Sequence, residues 1–156
     1  VDPIDRAREL FLTEENIYGC AETPLIALQE LYALPDPADS SAAMALNGGI
    51  AYSGATCGAI TGAALAVGRL AGRRIDDHRD AKRAARRITQ RLIEQFAAEF
   101  GALNCRDLIG YNLLKDHDAF IESGIWRDVC MRQIEFAVAR LAPLADRAEW
   151  DVELER

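Results

Sequence analysis

The sequence predicts an all-α fold, a single-domain compact helical bundle. Three observations carry that expectation. Apolar residues recur at helical spacing through most of the chain, and period-two alternation is scarce. Glycine and proline punctuate the pattern at helix-length intervals. Half of the 156 residues are apolar, enough to build one core without staples. No internal repeat and no second domain is visible. We place a four-cysteine helical domain at residues 1–142 and an acidic C-terminal tail or helix at 143–156.

From the N-terminus, Ile4, Ala7, Leu10 and Phe11 mark a first amphipathic helix, with Asp2 as cap and Pro3 at the first helical position. The chain breaks at Tyr18-Gly19-Cys20. A second helix starts around Thr23-Pro24, carries Ile26, Ala27, Glu30 and Leu31, and ends by Pro35-Asp36-Pro37. Asp39-Ser40-Ser41 caps a short Ala-rich helix through Leu46, and Asn47-Gly48-Gly49 then breaks the chain again. The next helix runs from about Cys57 to Ala71 and is expected to stop at Gly72. A long charged helix spans Asp76 to Phe100, with Ala81, Ala84, Ile88, Leu92 and Phe96 in helical register and Gly101 as its C-terminal glycine. Cys105 opens a short helix ending at Gly110, and a polar link containing His117 comes after it. Trp126 to Leu141 forms the last core helix, with Val129, Cys130, Gln133, Ile134, Ala137 and Leu141 inward, and Pro143 ends it.

Charge narrows the function classes. The net charge of −7 argues against nucleic acid as a partner, because phosphate binding needs a basic face. The basic stretch from Arg69 to Arg91 alternates with Asp76, Asp77 and Asp80 and reads as a solvated helix face. The longest uncharged stretch, Ser40 to Gly68, is filled with Ser, Gly, Ala, Asn and Thr, so no membrane span is expected. Val1-Asp2-Pro3 leads directly into charged residues without an apolar leader pattern. A cytoplasmic location is the resulting expectation, and there four cysteines are reactive or metal-binding rather than stapled.

Those cysteines, Cys20, Cys57, Cys105 and Cys130, are the candidate chemistry. Three of them, Cys20, Cys57 and Cys105, fall at expected helix starts. Unpaired backbone N–H groups and the positive end of the helix dipole favour thiolate there, so Cys57 is expected to ionise below the ordinary thiol range. Gly58 leaves backbone N–H groups accessible beside that sulfur. Gly58 and Gly62 are therefore candidates for contact with a cofactor. With Gly54 and Ala66 they form a row at four-residue spacing, suited to close approach of another helix or of a second copy of the chain. Cys130 lies on an inward helix face. No Cys-x-x-Cys occurs, so close-paired zinc or iron–sulfur motifs are absent, although four thiolates from separate helices can still converge on a metal. His78 and His117 sit in polar stretches and are not read as ligands. Phosphate-loop, serine-hydrolase and di-iron patterns are missing.

The segment Cys57-Gly58-Ala59-Ile60-Thr61-Gly62, together with Cys20 after Tyr18-Gly19, Cys105 after Asn104, and Cys130, resembles the C_GCAxxG_C_C family of bacterial and archaeal redox-active proteins. The likeness covers about residues 6 to 142. It implies a redox role and no particular substrate. Three readings stay open. In the first, the chain is a thiol–disulfide oxidoreductase: Cys57 attacks, and Cys20, Cys105 or Cys130 resolves the mixed disulfide, with a redox partner protein or a small thiol or disulfide as the other reactant. In the second, all four cysteines hold zinc or an iron–sulfur cluster for electron transfer or metal handling. In the third, the chain is a helical interaction protein with inert thiols.

Overall fold

The computed structural model describes residues 2–156, so position Val1 lies outside the described residues. Eight α-helices and three short 3-10 turns supply the regular structure of the described residues, and their only β-type pairing is the isolated bridge between Thr56 and Asn104. Helix α1 (Pro3–Phe11) begins as expected: the Asp2 carboxylate accepts from the N–H groups of Ile4 and Asp5, and Pro3 occupies the first turn. Helix α2 (Glu22–Leu31) is buried along nearly all its length. Tyr32, just past its end, donates its hydroxyl to Leu141 O at 2.6 Å and ties it to the end of α7 (Val129–Leu141).

Helix α3 (Gly58–Arg74) is the hub, packing against α2, α4 (His78–Phe100) and α7. Its small residues Gly58, Ala59, Gly62, Ala63 and Ala66 are all buried, which lets neighbouring backbone come close. Helix α4 is amphipathic, burying Ala81, Ala84, Ile88, Leu92 and Phe96. Asp77 caps its start, and Gly101 in the left-handed region closes its end. Phe96, Phe100 and Phe136 form an aromatic cluster between α4 and α7, with ring centroids 4.6–6.0 Å apart.

Four expectations need correction. Gly72 does not stop α3, which runs on to Arg74; the packing of α3 against its neighbours carries the helix through this exposed position. The link around His117 is helix α6 (Leu113–Ser123), kinked at Asp116, which comes after α5 (Cys105–Ile109). The Ala-rich segment Ser41–Leu46 is a 3-10 helix. Trp126 belongs to a separate 3-10 turn, Ile125–Arg127, ahead of α7.

The C-terminal segment forms α8 (Arg147–Glu155), capped by the Asp146 carboxylate on Ala148 N. It is docked onto the bundle: Trp150 is 1% exposed, and the Arg74 guanidinium lies 5.1 Å from its ring centroid. Arg74 also donates to the carbonyls of Leu144 and Ala145, which fastens the connection to α3. Among the described residues, no helix is long and apolar enough to cross a membrane.

Candidate functional site: a four-thiol cluster beside a small pocket

The four cysteines, far apart in sequence, meet at one end of the bundle. The Thr56–Asn104 bridge aligns two of them. Cys57 N donates to Leu103 O at 2.8 Å and Cys105 N to Ala55 O at 2.7 Å, so the starts of α3 and α5 lie side by side. Cys130 arrives from the first turn of α7. One turn further along α7, Gln133 accepts from the Cys57 thiol at 3.5 Å.

Cys20 reaches the cluster from the loop before α2. The Gly48 N–H donates to its sulfur at 3.5 Å. The N–H groups of Gly58 and Ala21 also act on that sulfur, each favouring the thiolate. This approach explains the glycines of the Cys-Gly-Ala-x-x-Gly segment. A β-carbon at Gly58 would sit 2.5 Å from Cys20 Sγ, and one at Gly62 would sit 2.0 Å from Ala21 O. The space beside both glycines is thus filled by the chain itself, the Cys20–Ala21 segment lying directly on α3.

A polar cluster fixes the Cys20 loop from the other side. Glu22 is buried and accepts from Gly19 N at 3.3 Å, Asn47 Nδ2 at 2.8 Å and Ser40 Oγ at 2.7 Å. The other end of the Asn47 amide accepts from Ala21 N at 2.9 Å. Past Asn47, the backbone turns left-handed for five residues in a row, from Gly48 (φ +68°) to Tyr52 (φ +63°), including β-branched Ile50 at φ +67°. Such a run is strained for residues with a side chain. It delivers the Gly48 N–H to Cys20 and packs Gly49 against Cys105, where a β-carbon would come within 2.7 Å of Cys105 Cβ.

Burial decides the electrostatics. Cys57, Cys105 and Cys130 are buried, whereas Cys20 is partly exposed. The expectation that α3 lowers the Cys57 pKa is overturned. Desolvation pushes that thiol well above its ordinary range, with the Cys20 charge adding to the rise, and the N–H groups of Ala59 and Ile60 offset only part of it. Cys130 is likewise pushed well up, first by burial and then by the charges of the other three. Cys105 is pushed up to about 12 by burial and by Cys20. Cys20 is raised by burial too, but no neighbouring thiolate opposes it and several backbone N–H groups favour its charge. A charge on Cys20 would in turn oppose ionisation of the other three.

Cys20, Cys105 and Cys130 face a pocket of about 230 Å³ that also touches Glu22, Gly48 and Trp126. His117 lies at this pocket with its ring 4.9 Å from that of Tyr52. Among the described residues, no three His, Cys, Asp or Glu side chains are grouped so as to hold a metal ion.

Several parts of the site are not visible in the sequence pattern: the Glu22–Asn47–Ser40 cluster, the left-handed turn, and Gln133 as the acceptor for Cys57. Asn47-Gly48-Gly49 is the signal that could have located the first two, since an amide beside paired glycines marks more than a break in the chain.

The bundle thus gathers four thiols, three at the starts of α3, α5 and α7 and one in the loop before α2, with Cys20, Cys105 and Cys130 lining a small pocket. The chain belongs to the family described as "Putative redox-active protein (C_GCAxxG_C_C)", which matches residues 18–144 and so includes every cysteine. No curated protein and no solved structure matches the chain.

Proposed function

We propose that the chain is a thiol–disulfide oxidoreductase in which Cys20 and Cys57 form the exchanging pair, with Cys20 as the attacking thiolate. One observation carries the pairing: Cys20 Sγ lies against Gly58, the residue that follows Cys57, where an added β-carbon would come within 2.5 Å of the sulfur. That contact puts Cys20 beside the residue next to Cys57, and a disulfide between the two needs their Cα atoms within about 7 Å. The roles rest on access and charge. Attack needs a thiolate that a second molecule can reach; Cys20 is partly exposed and has backbone N–H groups that favour its charge, while Cys57 is 4% exposed.

In the reaction, the Cys20 thiolate attacks one sulfur of a disulfide RSSR. The S–S bond breaks, and RS⁻ leaves and takes up a proton. Cys57 then loses its proton and attacks Cys20 Sγ, expelling the second RS⁻. The protein dithiol is oxidised to one disulfide and RSSR is reduced to two RSH, a balanced two-electron exchange. Cys57, shielded from the pocket and hydrogen-bonded to Gln133, waits as a thiol until the mixed disulfide forms beside it.

The test is trapping. Cys57→Ser is expected to stop the reaction at a stable mixed disulfide on Cys20, seen as the adduct mass in intact-protein mass spectrometry. Cys20→Ser is expected to give no adduct at the same oxidant concentration. Adduct formation at equal rate in Cys20→Ser would overturn the assignment of the nucleophile.

A further inference from the structure

The pocket in front of Cys20 carries a substrate preference. One side of its wall is apolar and aromatic, where Phe11 and Trp126 meet edge to face at 5.4 Å beside Leu113 and Phe120, and Asn16, Glu22, Asn47 and His117 supply polar groups. No lysine or arginine lines it. Arg127 lies over the Trp126 ring at 4.4 Å without lining the pocket. The one carboxylate at the wall, Glu22, is held by three donors and has no cation beside it. An anionic substrate group would thus lose hydration and meet the Glu22 carboxylate with no lysine or arginine at the wall, the His117 imidazole being the one basic side chain there. At about 230 Å³, the space is also below the range of pockets that take drug-sized ligands.

We propose that the disulfide exchanged at Cys20 is small, with an uncharged or cationic apolar body, and that the pocket excludes carboxylate-bearing disulfides of the glutathione kind. This rests on the exchange reading above and adds to it the chemical class of RSSR. The same two-electron step applies, RSSR being reduced to two RSH as Cys20 and Cys57 are oxidised.

Three disulfides of similar size and different charge test it: bis(2-hydroxyethyl) disulfide (neutral), cystamine (cationic) and 3,3′-dithiodipropionate (anionic). Each is mixed with the fully reduced wild-type protein, and its rate is divided by its rate with free cysteine to remove intrinsic reactivity. The normalised rates of the neutral and cationic reagents are expected to exceed that of the dianion by about tenfold or more. The preference is expected to persist in high salt, because a pocket wall is screened less than a surface. Ile17, at the pocket and 62% exposed, offers a second variant. Ile17→Lys is expected to raise the dianion-to-neutral rate ratio several-fold by placing a cation at the wall. Equal normalised rates for the three reagents, or a ratio unmoved in Ile17→Lys, would overturn the preference and leave exchange at Cys20 standing. No reaction with any of the three would overturn the exchange reading itself, and the preference with it.

Discussion

Replacing Gly62 by Ala tests the contact that seats Cys20 on α3. The added β-carbon would lie 2.0 Å from Ala21 O and 2.8 Å from its carbonyl carbon. Ordinary contact begins at 3.4 Å, so the Ala21 backbone must withdraw by about 1.4 Å. The obstacle is backbone, so no rotamer change relieves it, and overpacking of this kind costs about 3 kcal/mol. Alanine in a helix interior recovers about 1 kcal/mol through propensity. The net expectation is a loss of about 2 kcal/mol, a fall in Tm of about 4–8 °C for a domain of this length. The same helix supplies its own controls. Gly68 and Gly72 have nothing within 4 Å of a would-be β-carbon, so Gly68→Ala and Gly72→Ala are each expected to gain about 0.5–1 kcal/mol. Thermal and urea denaturation of the three variants gives the comparison. Gly62→Ala as stable as Gly68→Ala would refute the claim that the motif glycine exists to admit the Cys20 segment. Because Ala21 carries Cys20 with it, Gly62→Ala is also expected to slow thiol exchange, which the two controls leave unchanged.

Three further predictions concern charge and strain. Exchange depends on the Cys20 thiolate, whose pKa lies above the usual 9.0. Its rate with a neutral disulfide should therefore rise about tenfold per pH unit between pH 7 and 8.5, and a plateau below pH 8 in stopped-flow traces would contradict the raised pKa. Buried thiols with raised pKa values stabilise the fold fully below the unfolded-state pKa near 9 and lose that contribution as pH climbs toward the folded values, about 12 for Cys105. Urea unfolding above pH 9 should thus show stability falling by about 1.4 kcal/mol per pH unit for each such thiol. Cys130→Ala should make the fall shallower by about one thiol's share, and an unchanged slope would count against it. Ile50 holds a left-handed φ of +67° with its side chain 42% exposed. Ile50→Gly relieves about 1–2 kcal/mol of backbone strain against about 0.5–1 kcal/mol of added unfolded-state entropy, so a slightly higher urea midpoint is expected and a clear drop would argue against strain.

The helices are legible in the sequence because their signals are local. Asp2-Pro3, Asp77 and Gly101 announce helix ends through caps that need no tertiary context, and the apolar spacing of α4 and α7 names their buried faces. Gly72 misleads for the opposite reason: at an exposed helix position nothing demands a residue with a side chain, and the packing of α3 carries the helix through. At the site, the four cysteines and the motif glycines stand out by residue type and by resemblance. The rise in the thiol pKa values does not. It depends on how deeply each sulfur is buried, which the bridge at Thr56–Asn104 and the loop at 47–52 determine. Helix-start arguments give the sign of a local field and say nothing of desolvation, and at Cys57 desolvation is the larger effect. The left-handed turn is hidden because Ile50, Ala51 and Tyr52 are residue types that ordinarily avoid that conformation.

The central claim is that Cys20 and Cys57 exchange as a pair, and disulfide mapping tests it most directly. The reduced wild-type protein is treated with one equivalent of bis(2-hydroxyethyl) disulfide, its remaining thiols are alkylated, and the digest is read by mass spectrometry. The account predicts a Cys20–Cys57 cross-linked peptide, with Cys105 and Cys130 recovered as alkylated thiols. A disulfide that leaves Cys20 alkylated, or four alkylated cysteines with the reagent unconsumed, would contradict it.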